Sequence, residues 1–220
     1  MSSLAIARLT QLPESRRRES VTPRIIIGIS GASGAIYGIR LLEILRTMQV
    51  STHLIVTKSA EQTIAHETDW KIADIRNLAD AWYPIEDIGA APASGSFRTI
   101  GMVVAPCSVR TAAELSTGAT GNLLTRAADV VLKERLPLVL MVRETPLHAV
   151  HLRNLSDLSQ LGATIAPPVP AFYARPESIH EMINHTLGRV LDCFELDTGT
   201  VKRWGEDVGK NMQKTRDRKK

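Results

Sequence analysis

The chain has only two cysteines in 220 residues, Cys107 and Cys193. That excludes a disulfide framework and points to a reducing compartment: the cytoplasm, or the mitochondrion if the source is eukaryotic. No apolar run is long enough to cross a bilayer, so no membrane association is expected. The N-terminal stretch has no continuous apolar core, which excludes a secretory signal. Its Arg16-Arg17-Arg18 argues for an organellar presequence and its Glu14 and Glu19 argue against one. Aromatic residues make up 4% of the chain and do not interleave with the basic runs, so nothing supports nucleic-acid recognition. The net charge of +4 does not change this. Residues 1 to 24 carry +3 and residues 202 to 220 carry +5, which leaves the segment between them at −4. The basicity belongs to the tails, where it serves solubility or loose contact with acidic surfaces. No Gly-Lys-Ser/Thr closes a loop, which excludes a Walker-type site. No Asp-Asp-x-x-Asp cluster is present to hold magnesium, and the pair His148 and His151 has no obvious third ligand, so no metal is expected.

What is present concentrates in Arg24-Ile25-Ile26-Ile27-Gly28-Ile29-Ser30-Gly31-Ala32-Ser33-Gly34-Ala35, an apolar run that stops in a loop of small residues. Ile36, Ile39, Leu41, Leu42, Leu45 and Met48 then recur at helical spacing. A strand followed by a small-residue loop and a helix start is suited to an oxyanion, because exposed N–H groups and the helix dipole both face it. A tight turn needing glycine for steric reasons is the other reading. The glycines at 28, 31, 34 and 38 do not match G-x-G-x-x-G. The next strand ends in Thr57-Lys58-Ser59 with no carboxylate to hold an adenosine ribose. A mononucleotide phosphate or ribityl chain fits those hydroxyls and that cation better than a dinucleotide.

Apolar runs at residues 25–29, 53–56, 102–105, 138–142 and 163–166 alternate with helical patterns at 35–48, 59–66, 71–80, 109–116, 122–134, 149–161 and 177–193. Such alternation predicts an α/β fold of three layers, α/β/α, with a parallel sheet in one domain. Tyr83 to Arg98 reads as a loop. Ligands of open α/β sheets sit beyond the carboxyl ends of the strands. Here those ends carry Ser30 and Ser33, Thr57 and Lys58, Cys107 to Arg110, Arg143 and Glu144, and Phe172 and Tyr173. Arg143 and Glu144 suit anion binding and proton movement, or an ion pair capping the next helix. Arg126 and Lys133, seven apart on one helix, either share an anion or are solvated separately. Cys107 reads as a packed thiol more readily than as a nucleophile.

These segments, with Glu67-Thr68-Asp69, Ser94-Gly95-Ser96-Phe97, Arg126 to Arg135, Arg143-Glu144-Thr145-Pro146-Leu147 and Pro167 to Tyr173, closely resemble the UbiX-like flavin prenyltransferases over residues 24 to 197. The resemblance leaves residues 1–23 and 198–220 as basic tails. It implies a flavodoxin-like, Rossmann-like fold, a homododecamer, and transfer of a dimethylallyl group from dimethylallyl phosphate to N5 and C6 of reduced FMN. The product would pass to UbiD-like decarboxylases. By motif, Gly31, Ala32, Ser33, Thr57, Cys107, Ser108, Val109, Arg110 and Arg143 would hold FMN. Arg126, Lys133, Arg143, Tyr173 and Arg189 would surround the prenyl phosphate, with Lys133 reaching in from a neighbouring subunit. Ser33, Glu67, Glu144 and Lys133 would be the catalytic groups, and the loop from Tyr83 to Arg98 would cover the site. A flavin-dependent cysteine decarboxylase of the same fold, and a non-catalytic flavin carrier, are the alternatives.

Overall fold

A computed structural model describes residues 22–209. Apolar runs form the strands because both faces of a parallel sheet are covered. The strands are β1 (Arg24–Ile29), β2 (Ser51–Val56), β3 (Ala81–Tyr83), β4 (Met102–Cys107), β5 (Leu138–Val142) and β6 (Thr164–Ile165). They make one parallel sheet in the order β3-β2-β1-β4-β5-β6. Without the three-residue edge strand β3, this is the 2-1-3-4-5 order of flavodoxin-like proteins. No expected strand corresponds to β3. Ala81-Trp82-Tyr83 is short and only partly buried, and it pairs with β2 alone.

Seven α-helices complete the layers among the described residues: α1 (Ala35–Thr47), α2 (Lys58–Glu67), α3 (Ile72–Leu78), α4 (Val109–Ser116), α5 (Leu123–Lys133), α6 (Ala149–Gln160) and α7 (Ile179–Leu191). Alternation along the strands sorts the core into two. Ile25, Ile27 and Ile29 of β1 pack with α1, α2, α3 and α7, whereas Ile26 of β1 and Val104 of β4 pack with α4, α5 and α6. Helix α1 lies so close to the sheet that a Cβ on Gly38 would strike the Ala105 carbonyl oxygen and come within 2.8 Å of Ile29 Cδ1. That approach draws the start of α1 down onto the carboxyl edge.

At the switch point, where connections leave β1 and β4 in opposite directions, the two strand ends are stitched by one hydroxyl. Buried Ser30 Oγ donates to the Pro106 carbonyl at 2.9 Å and accepts from the Ser108 amide at 2.8 Å. Ser30, expected among the site walls, is therefore structural. The segment after β3 is not a free cover. The Leu123 amide donates to the Ile85 carbonyl at 2.9 Å, the 3₁₀ turn Ala91–Ala93 packs on α5, and Phe97 meets the His53 ring edge-on. Only its beginning stays near the crevice, where Glu86 pairs with Lys58 at 2.5 Å and Ile88 is exposed.

Of the expected basic tails, residues 1–21 and 210–220 lie outside the described residues. Residues 198–208 do not trail away but pack on α7, because small Gly188 lets Val201 and Thr198 lie flush on the helix.

Candidate active site at the carboxyl edge of the sheet

Glu67, the last residue of α2, reaches across to the start of α1. Its Oε2 accepts from the Gly34 amide at 2.8 Å and the Ala35 amide at 3.3 Å, and the Ser33 side chain lies beside the same carboxylate and favours its charge. Gly34, the N-cap of α1 at φ 96°, makes this turn where a side chain would be strained. Partial burial works against the charge on Glu67. The Ser33 hydroxyl, the two amides and the nearby Arg143 charge outweigh it and hold the group below the ordinary carboxylate range. This corrects one expectation. The first amides of α1 were assigned to a ligand oxyanion, but a carboxylate of the chain itself takes them, because α2 ends one side chain's reach away.

Oxyanion-type donors remain elsewhere on the same edge. Thr57 caps α2, accepting from the Ala60 amide at 3.1 Å, and its hydroxyl lies 3.1 Å from that of Ser59. Ser108 caps α4 in the same way through the Thr111 amide at 3.1 Å. The first amides of these helices, at Lys58 and Ser59 and at Val109 and Arg110, have no backbone acceptor among the described residues. Ser59 sits directly over Gly31, where a Cβ would collide with it. Ser59 is the second of the two hydroxyls in the Thr57-Lys58-Ser59 strand end, and the motif assignment of FMN-holding residues had kept only Thr57 of the pair.

Arg143 and Glu144 are exposed just beyond β5. Among the described residues the Arg143 guanidinium forms no hydrogen bond or ion pair, and Glu144 accepts only from the adjacent Thr145 amide at 3.0 Å. Neither caps α6. His148 does so, its Nδ1 accepting from the Val150 amide at 3.2 Å. The ion-pair-cap reading of Arg143 and Glu144 is thus not what the structure contains. Arg110 is also exposed and pairs with Glu114 at 3.0 Å. Cys107 has no exposed surface, and burial pushes its thiol pKa up to about 12. It backs the crevice from beneath as a neutral packed group.

The edge as a whole fits a flavin mononucleotide. It is open at the switch point and offers hydroxyls and helix-start amides to a phosphate, with an unpaired cation beside a hydroxyl-bearing loop.

The expected prenyl-phosphate groups are not all on this edge. Lys133 ends α5, and the connection Glu134–Pro137 joins that end to the amino end of β5. Eleven residues of helix place Lys133 on the order of 15 Å from the start of α5. There it pairs with Glu134 beside Gly95. Arg126 pairs with Asp129 at 2.9 Å, so Arg126 and Lys133 share no anion within the chain. Arg189 lies in the last turn of α7 and pairs with Asp192 at 2.5 Å. That end of α7 also faces the amino edge, since Phe194 packs against Gly101 ahead of β4. Tyr173 is exposed on a 3₁₀ turn, its ring edge-on to His185 in the middle of α7 at 5.7 Å. One chain therefore brings together Ser33, Glu67, Thr57, Ser108 and Arg143, and leaves Lys133 and Arg189 on outer surfaces.

Comparison with known proteins gives a concordant picture. A family model described as Flavoprotein matches residues 13–191. The flavin prenyltransferase UbiX of Thauera aromatica is 50% identical over 193 residues, 88% of this chain and 100% of that protein. AnUbiX (PadA1), solved in complex with FMN and dimethylallyl pyrophosphate, superposes with a TM-score of 0.82 at 48% identity over 84% of this chain and 98% of that one. A dodecameric FMN-dependent UbiX-like decarboxylase from Escherichia coli O157:H7 gives a TM-score of 0.80 at 46% identity, over 82% and 98%.

Proposed function

The chain belongs to the flavoprotein family and is a flavin prenyltransferase, and from this we propose how its residues share the joining of a dimethylallyl group from dimethylallyl phosphate to N5 and C6 of reduced FMN. Reduced FMN, when bound, supplies the electron-rich ring that accepts the prenyl carbon. Gly31, Ala32, Ser33, Thr57, Ser108, Val109, Arg110 and Arg143 hold it, with Cys107 shaping the floor. Ser59 adds a second hydroxyl beside Thr57. Breaking the allylic C–O bond leaves negative charge on phosphate, and Arg126, Lys133, Arg143, Tyr173 and Arg189, drawn from neighbouring copies where one chain does not bring them together, bind that charge as it develops. Glu67 keeps the Ser33 hydroxyl aimed and is itself held ionised by the α1 amides. Glu144, exposed and without an ion-pair partner among the described residues, accepts the proton that leaves C6.

Lys133 and Arg189 lie away from the carboxyl edge of their own chain, so neighbouring copies complete the site. The assembly is a homo-oligomer, dodecameric like the Escherichia coli relative. Residues 24–197 form the catalytic domain, which works in the cytoplasm and hands prenylated FMN to a UbiD-like decarboxylase. No helix among the described residues is long and apolar enough to cross a membrane.

The observation that carries the reading is the Ser33, Glu67 and Arg143 cluster on the open switch point, seen in a chain half-identical to a named flavin prenyltransferase. Anaerobic incubation with reduced FMN and dimethylallyl phosphate, followed by mass spectrometry of the flavin, is expected to show one added prenyl group. No adduct with either the mono- or the diphosphate would overturn it.

A further inference from the structure

Residues 198–208 lie outside the stretch that carries the resemblance, yet they are hydrogen-bonded and packed onto α7 and the 3₁₀ turn before it. A turn closes on itself at their end, with the Arg203 amide donating to Asp207 Oδ2 at 2.8 Å and the Gly205 amide to the Val208 carbonyl at 2.8 Å. This turn presents three consecutive side chains. Lys202 Nζ donates to the Ala174 carbonyl at 2.9 Å, in the 3₁₀ turn that carries Tyr173. Trp204 stands edge-on to the Tyr173 ring at 5.9 Å, as His185 does at 5.7 Å. Arg203 grips both oxygens of Asp192, at 2.9 Å and 3.1 Å, while Arg189 holds the same carboxylate at 2.5 Å.

Behind them the segment is seated on α7. Thr200 Oγ1 donates to the Asn184 carbonyl at 3.3 Å, and a Cβ on Gly188 would come within 2.5 Å of Val201. His185 and Arg189 are four residues apart, so Tyr173 and Arg189 are held over the same face of one helix.

We propose that Lys202, Arg203 and Trp204 are positioning residues for the prenyl phosphate, fixing Tyr173 and Arg189 without touching substrate themselves; this rests on the reading of those two residues given above. Tyr173 is exposed at the tip of a turn, and a half-exposed ring keeps one orientation only where neighbouring rings pack against it. His185 and Trp204 each supply an edge-on contact. Arg203 acts through Asp192. For Arg189 to turn to a phosphate it must leave a carboxylate, and a carboxylate left without a partner is costly. The bidentate hold of Arg203 keeps Asp192 paired after Arg189 has gone, so the cation is released at low cost. The same hydrogen bonds are the main cause that keeps Asp192 below the ordinary carboxylate range.

The test compares Trp204→Ala, Trp204→Phe, Arg203→Met and Arg203→Lys in the full chain, each loaded with oxidised FMN so that binding is read without turnover. Calorimetric titration with dimethylallyl phosphate is expected to show affinity lowered about tenfold in Trp204→Ala and Arg203→Met, with FMN affinity and oligomer mass unchanged. Trp204→Phe keeps an aromatic edge and should recover most of the loss, whereas Arg203→Lys should recover little because its ammonium cannot grip both oxygens. In turnover the Ala and Met variants should show the change in KM for the prenyl donor more than in kcat. Unchanged donor affinity in both, or an equal loss of FMN affinity, would reduce the segment to packing and overturn the proposal. A wild-type chain that binds dimethylallyl phosphate but never prenylates FMN would refute the activity and leave the binding comparison intact.

Discussion

At the scale of single residues, the chemistry turns on how two carboxylates are treated differently. Glu67 is tied to two backbone amides, whereas Glu144 meets only the amide beside it. On the proposal above, Glu67 holds a geometry and Glu144 takes up a proton. Glu144→Gln should slow prenylation at least about tenfold while FMN stays bound, read by flavin mass against time and by FMN titration. Ser33→Ala should lower kcat with little change in FMN affinity, because the hydroxyl is lost but the loop backbone is kept. The Glu67 cap also has a pH signature. Its folded pKa lies below the ordinary value of about 4.3, so its stabilisation is full above that value and is lost as pH falls through the folded pKa. The melting temperature of wild type should exceed that of Glu67→Ala at neutral pH, by an amount worth no more than about 1 kcal/mol for so exposed a group, and the gap should close toward pH 3.

At the scale of elements, the crevice exists because α1, β1 and β4 are locked together at one end. Ser30→Ala takes away the acceptor of the Ser108 amide, while the Pro106 carbonyl keeps the Ser30 amide at 3.2 Å, and should cost about 1 to 3 kcal/mol by denaturant melting. Gly38→Ala should cost a similar amount, since the new methyl meets a strand carbonyl that cannot move aside. The strands and helices themselves were largely legible. Five of six strands and all seven helices lie where the apolar periodicity put them, within a few residues, because burial on both sheet faces imposes that periodicity directly. Strand β3 escaped because three half-exposed residues on an edge carry no such pattern. How the loop after it is anchored was not legible for a related reason. Its Pro, Gly, Ala and Ser content marks irregular backbone, but its fixing to α5 depends on contacts with residues thirty or more positions away.

At the scale of the whole molecule, the cations proposed to bind phosphate are divided between the two ends of the fold, and on that proposal the assembly is part of the active site. Chains carrying Lys133→Ala and chains carrying Glu144→Gln should each be nearly inactive as homo-oligomers. Mixed oligomers co-produced from both should regain a measurable fraction of wild-type rate, because some sites then combine a good Lys133 with a good Glu144 from different copies. Absence of any recovery in oligomers shown by mass to be mixed would place the complete site within one chain. The sequence alone determined the class of fold, the small-residue loop after β1, the chemically loaded strand ends and, through its motifs, the family. Each of these is written in local spacing, which periodicity and turn chemistry translate without reference to the rest of the chain. Only the tertiary structure decided that Glu67 and not a ligand takes the first amides of α1, that Cys107 lies beneath the site, and that Lys133 and Arg189 stand apart from Arg143. Those facts depend on which groups three-dimensional packing brings within hydrogen-bonding reach, a distance of about 3 Å that no separation along the chain encodes.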